Sequence, residues 1–214
     1  MRSFLLLAAL IFSATVSTVF SQSPTPSPTP DPNLHPVAIS TPDADPNAST
    51  YTRPDAKTRF KLYVNGTVGP FALARQVAGA GISTWRNSPE EWRGQWEGFG
   101  KRVASNFGKN FIKQTTIYGL DSALKLDSHY YRSRKKDAGS KIKNALLSPV
   151  TARNSSGKRV IGVPRLVGTY TASIVAAETW YPGRYDWKDG AKSATFSLGI
   201  SAAYNLFKEF VWKK

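Results

Sequence analysis

The chain has 214 residues, 29 Lys and Arg against 14 Asp and Glu, a formal net charge of +15, and no cysteine. The missing cysteines exclude a disulfide framework and a lipid-modified cysteine behind a leader, so whatever folds here holds together by packing. With 2 histidines in the whole chain, acid–base groups are also scarce.

At the N-terminus, Arg2 precedes an uncharged apolar run over residues 4–12 and then a small, polar stretch ending in Val19, Phe20 and Ser21. This is the layout of a signal peptide, residues 1–21, cleaved after Ser21. The competing reading is an uncleaved anchor, since residues 4–20 are uncharged, but the Ser and Thr after Phe12 oppose it. Residues 22–56 hold 9 of the 14 prolines, several alternating with Ser and Thr. Alternating proline removes backbone donors and favours extended polyproline, so this is a disordered Pro-rich linker with a reach on the order of 100 Å.

Residues 57–214 carry 27 Lys and Arg against 10 Asp and Glu, a net charge of +17. Such a basic domain is expected to meet polyanions: anionic lipid, lipopolysaccharide or acidic wall polymer. For an exported chain these come before nucleic acid, which is the less favoured partner.

Gly69-Pro70 opens a helix reaching Trp85. Ser88-Pro89-Glu90-Glu91 reads as a capping box opening the next, along which Trp92, Trp96, Phe99, Val103, Phe107 and Phe111 form one apolar stripe. Gly119 and the β-branched Ile112, Thr115, Thr116 and Ile117 predict a break before its end. A short helix over 140–147 stops at Pro149, and residues 150–153 and 158–163 flank Asn154-Ser155-Ser156-Gly157 as a small β-hairpin. Two more helices follow over 165–180 and 189–211, the last capped by Asp189 with Phe196, Ile200, Ala203, Phe207 and Val211 on one side. Residues 196–206 also alternate perfectly, the pattern of an outer-membrane β-barrel strand.

Small residues recur one turn apart in three rows: Gly100, Ala104 and Gly108; Gly168, Ala172 and Ala176; Thr195, Gly199 and Ala203. Each row lies on one helix face, where a second backbone comes close, within the domain or in self-association. The expected fold is mainly α, a compact helical bundle with Gly/Ala packing. The longest uncharged segments in the two last helices, 166–177 and 193–207, fall short of the roughly 20 residues that span a bilayer.

Two surfaces stand out. Tyr130, Tyr131, Arg132, Arg134, Lys135 and Lys136 form a candidate anion-binding run, against the plainer reading of a solvated loop. Trp180, Tyr181, Arg184, Tyr185, Trp187 and Lys188 mix rings with bases as interfacial belts do, against the plainer reading of rings capping the bundle end. Catalysis finds little support. A Ser/His/Asp triad would depend on His129, and a wall hydrolase on Glu91 or Glu97, which helix capping and an ion pair with Lys101 explain more simply. No metal-ligand spacing, phosphate loop or dinucleotide fingerprint occurs, so neither metal nor cofactor is expected.

The motifs Pro89-Glu90-Glu91-Trp92, Gly98-Phe99-Gly100-Lys101-Arg102, His129-Tyr130-Tyr131-Arg132-Ser133 and Thr179-Trp180-Tyr181-Pro182, in this order, resemble those of an uncharacterised family of exported bacterial envelope proteins. The resemblance implies a shared fold and an envelope setting and transfers no catalytic residue. The sequence thus points to a non-enzymatic envelope protein held at an anionic membrane or wall surface, with a hydrolase or an outer-membrane barrel as the alternatives.

Overall fold

A computed structural model describes residues 51–135 and 137–211; the leader, the linker up to residue 50, Lys136 and residues 212–214 lie outside the described residues. Asp55 accepts from the Thr58 amide at 3.2 Å and starts α1 (Ala56–Val68). Gly69 ends α1 and, with Pro70 at the first position, starts α2 (Pro70–Trp85). Sequence analysis placed no element over residues 57–68, where α1 lies.

Ser88-Pro89 does not open a helix. Residues Glu90–Trp92 make a single 3-10 turn, and α3 (Trp96–Ala123) starts later. The cause is Arg102, only 2% exposed, whose guanidinium donates to the carbonyls of Ser88 (2.9 Å), Pro89 (2.7 Å) and Arg93 (2.6 Å). Two of those oxygens belong to the first residues of the expected helix, so the segment is gathered into a turn around the side chain. Gly98 permits the approach, since a Cβ there would lie 2.0 Å from the Trp92 carbonyl oxygen. The break expected near Gly119 does not occur either; α3 runs unbroken to Ala123, with α1 and α5 packed against it.

Asp137 caps α4 (Ala138–Leu147) through the Ser140 amide at 2.7 Å. A 3-10 turn, Ser148–Val150, leads into β1 (Thr151–Arg153), which pairs antiparallel with β2 (Arg159–Ile161) in the register Ala152↔Val160. Gly157, at φ 77°, supplies the left-handed residue of the turn, as its position in the sequence predicts. Then come α5 (Val163–Thr179) and α6 (Trp187–Phe210). The cap of α6 is Asp186 rather than Asp189, which closes the capping box from the third helical position. Residues 196–206 are helical throughout, so their alternation does not make a strand and the barrel alternative falls.

The helices neighbour one another in the order α2, α3, α5, α6, α4, with α1 against α2 and α3. The Gly168 row works as expected: a Cβ on Gly168 would lie 2.9 Å from both the Lys113 carbonyl oxygen and Ile117 Cγ1, and Ala172 and Ala176 are buried. Gly190, which no row predicted, is as tight, with Ile174 Cα 2.7 Å from its would-be Cβ. The other two rows mostly face outward. Gly100 and Gly199 have nothing within 4 Å, and Ala104, Thr195 and Ala203 are exposed; Gly108 alone meets a neighbour, the Trp180 ring.

This packing reverses the usual distribution of size and polarity. Among the described residues the buried apolar side chains are eight alanines, Ile117 and the prolines Pro89, Pro149 and Pro164, and the largest fully buried ones are Arg102, Thr169, Pro149 and Pro164. The rings expected inside lie outside: Trp96 is 87% exposed, Phe196 65%, and Phe107, Phe111, Ile200, Phe207 and Val211 are exposed as well. Helices that meet backbone to backbone leave no room between them for rings, so the large side chains are driven to the outer faces.

Candidate functional site

The candidate anion-binding run begins as anything but a solvated loop. Asp127 exchanges backbone hydrogen bonds with Arg153 (2.8 and 2.9 Å), which pins the segment to the end of β1, and Asp127 and Ser128 are buried. The Asp127 carboxylate accepts from the hydroxyls of Tyr51 (2.7 Å) and Tyr131 (2.6 Å) and from the amide and Nδ1 of His129, each at 2.9 Å. Burial pushes its pKa up, but these donors outweigh burial and hold the carboxyl well below its usual range. Asp121, also buried, is raised by burial against the opposing bonds from the Ser128 hydroxyl (2.8 Å) and amide (3.1 Å).

Tyr51 and Arg53 belong to the segment read as linker, yet both are fastened here. Arg53 donates to the Asp121 carbonyl at 2.8 Å and also to that of Leu126. The tie of this stretch to the folded body therefore begins before α1.

His129 pairs with an acid, as a triad would require, and an ionised Asp127 fixes its proton on Nδ1. The neighbouring serine cannot complete the set, because the Ser128 hydroxyl is committed to Asp121. Asp127, His129 and Tyr131 are thus a local knot of hydrogen bonds that orders the segment.

A second knot forms at Glu209, which is 4% exposed near the end of α6. Its Oε1 accepts from the Tyr130 hydroxyl (2.5 Å), the Ser133 amide (2.8 Å) and the Asn144 amide group (2.7 Å), while Arg132 donates to its carbonyl at 3.2 Å. This joins α6, α4 and residues 130–133. Burial, followed by the bonds to Glu209 and Asp127, pushes the Tyr130 and Tyr131 hydroxyls far above their ordinary pKa, so both stay neutral donors. Of the six residues in the run, Tyr130 and Tyr131 are thereby bonded inward, Arg132 reaches the Glu209 carbonyl from an exposed position, Arg134 and Lys135 are exposed, and Lys136 lies outside the described residues. The one sequence signal for Glu209 is an acid in the last turn of a helix, where the dipole disfavours it and donors must compensate.

The aromatic corner divides in two. Trp180 donates from Nε1 to the Ser105 hydroxyl at 2.9 Å and lies over Gly108. Tyr181 packs edge-on against Trp92 and Tyr185, with ring centroids 5.1 and 5.5 Å away, and accepts from Lys109 Nζ at 2.8 Å. These two rings close the end of the α3–α5 pair. Arg184, paired with Glu91 at 2.9 Å and near Glu90 at 3.8 Å, points outward with Trp187, which is 56% exposed, and Lys188. Glu97 pairs with Lys101 at 2.6 Å, so both acids of the hydrolase alternative are held in surface ion pairs.

On the outer face of α6, Lys192, Thr195, Phe196, Gly199, Ile200 and Ala203 line a shallow apolar groove of about 590 Å³. The row read as a helix-packing seam is the floor of this groove. No protein-family model, curated protein or solved structure matches this chain.

Proposed function

We propose that this is a non-enzymatic cell-envelope protein that lies peripherally on an anionic membrane surface. One observation carries the reading: large rings and aliphatic side chains stand outside a core of alanines, on a domain with a net charge of +17 over residues 57–214. In water each such ring leaves about 1–2 kcal/mol of burial unrealised. At a bilayer surface, Trp and Phe enter the headgroup boundary, and each nearby Lys or Arg adds about 1 kcal/mol against anionic lipid. The face of α6 around Phe196 and Ile200, flanked by Lys192, combines both properties. No helix among the described residues is long and apolar enough to cross a membrane, which fits binding along the surface. The leader expected at residues 1–21 and the resemblance to exported proteins supply the envelope setting.

Vesicle flotation tests this. The protein without residues 1–21 is expected to float with phosphatidylglycerol vesicles at low salt, to bind neutral phosphatidylcholine vesicles far less, and to lose part of its binding when Phe196 and Ile200 become Ser. Absence from anionic vesicles at low salt overturns the reading, and retention by purified wall polymer in its place assigns the anion to the wall.

A further inference from the structure

Between α1 and α3 lies a pocket to which nothing above gives a role. Arg59 and Tyr63 recur one turn apart on one face of α1, and Gln114, Tyr118 and Ser122 do so on α3; with His129 they line a cavity of about 30 Å³. Roughly 10–15 Å³ of such space holds one water, so the cavity admits about two small polar atoms.

Arg59 is the anomaly in its wall. Its Nε and Nη1 are buried without a hydrogen-bond partner, and among the described residues its guanidinium has no acid at ion-pair distance. A buried cation left in this condition is destabilising until an acceptor meets it. Two acids share the wall, but neither serves. The Asp127 carboxylate is taken up by Tyr51, Tyr131 and His129, and that of Asp121 by the Ser128 hydroxyl and amide. The side chains of Gln114 and Ser122 and the Tyr118 hydroxyl likewise make no hydrogen bond among the described residues, so further donors stand beside the guanidinium.

The missing partner is an acceptor with a flat pair of oxygens, the shape that a guanidinium grips with two parallel bonds. Room for about two atoms suits the oxygens of one carboxylate better than a tetrahedral phosphate, and the wall acids oppose a second negative charge. Beside the cavity the rings of Phe60, Tyr63 and Tyr118 touch one another, with centroids 5.1 to 6.2 Å apart, and Phe60 is 54% exposed. Two of these three residues also line the cavity, so an apolar group attached to the carboxylate passes onto the rings.

We propose that this pocket binds a monocarboxylic acid with an apolar tail, its carboxylate on Arg59 and its tail across Phe60, Tyr63 and Tyr118. The site goes beyond the membrane reading and does not rest on it.

Calorimetry on the chain from residue 22 tests this with three probes in lipid-free buffer: octanoate, acetate as the head alone, and octanol as the tail alone. Octanoate is expected to bind at one site, and the other two at least about tenfold more weakly. Arg59→Met, which removes the unpartnered charge and keeps an apolar stem, should lower octanoate affinity at least about tenfold, and Phe60→Ser at the exposed ring about threefold. No octanoate binding by the wild type, or octanol binding as tight as octanoate, overturns the site without recourse to any variant. Equal octanoate binding by a folded Arg59→Met overturns it too, and an unchanged affinity in Phe60→Ser overturns the placement of the tail. Inorganic phosphate displacing octanoate at lower concentration than acetate does overturns the choice of a carboxylate. Octanoate binding by a protein that fails to float with vesicles removes the membrane reading and leaves this site standing.

Discussion

Replacing four glycines by alanine, one at a time, should shift stability in two directions. Gly100 and Gly199 lie in helix interiors with open space where a Cβ would go, so alanine adds only its better helix propensity, about 0.5–1 kcal/mol of stabilisation. Gly190 is different. A Cβ there would sit 2.7 Å from Ile174 Cα, 2.9 Å from the Ser173 carbonyl oxygen and 3.0 Å from Ile174 N, all backbone atoms that no rotamer change can move. Ordinary carbon contacts lie at about 3.5–4.0 Å, so α5 and α6 must part by nearly 1 Å. Overpacking of this kind costs about 1–3 kcal/mol, and after the propensity gain Gly190→Ala should lose about 1–2 kcal/mol. Gly168→Ala, whose Cβ meets the Lys113 carbonyl oxygen and Ile117 Cγ1 at 2.9 Å each, should lose slightly less because Ile117 can turn. Urea unfolding followed by far-ultraviolet circular dichroism reads these changes as midpoint shifts at constant slope. If all four substitutions move the midpoint the same way, close helix approach at Gly168 and Gly190 is not what holds the layer together.

Three further outcomes follow from buried polar groups. Glu209→Ala strips the acceptor from the Tyr130 hydroxyl, the Ser133 amide and Asn144, and should cost about 3 kcal/mol by chemical denaturation; a loss under about 1 kcal/mol would refute the keystone role. Arg102→Met leaves three carbonyls without their donor, so hydrogen exchange over residues 88–95 should quicken markedly, with a global loss of about 3 kcal/mol; unchanged protection there contradicts the account of that turn. Lys113, depressed to about 8 against an ordinary 10.5, binds its proton more weakly folded than unfolded. Its penalty is therefore full below pH 8 and fades as pH rises toward 10.5. Lys113→Met should be more stable than wild type by about 2–3 kcal/mol at pH 7, with the gap narrowing to about 1 kcal/mol by pH 10; a gap independent of pH would place the lysine in water.

Element boundaries were legible where local chemistry sets them. Pro70 at the start of α2, Gly157 in the hairpin turn and Pro149 after α4 act through their own backbone constraints, and each lies where it was read. The start of α3 was not legible, because Ser88, Pro89 and Glu91 carry a valid local signal that Arg102 overrides from 14 residues away. The hydrogen-bonded knots were invisible for the same reason: Glu209 gathers donors from residues 65–79 positions distant, and Tyr51 reaches Asp127 across 76. The cation-bearing run at 130–135 was visible as composition, but its bonding direction depends on which acids stand behind it.

By itself the sequence determined the mainly helical class, the hairpin, the excess of positive charge and the presence of small-residue rows, since these depend on residues within a few positions or on a count. Which side of each helix faces inward was decided only by tertiary contact. Period 3.6 shows that α3 and α6 each have a ringed face and a face of small and polar residues, but it does not say which one meets a neighbour. Here the side that turned inward carries Gly98, Arg102, Ser105, Ile117 and Asp121 on α3 and Gly190, Ala194, Asn205 and Glu209 on α6, because Gly190 lets α6 meet α5 at backbone distance and the buried polar groups find hydrogen-bond partners on neighbouring segments, and the rings were left outside together with the Gly100 and Gly199 rows.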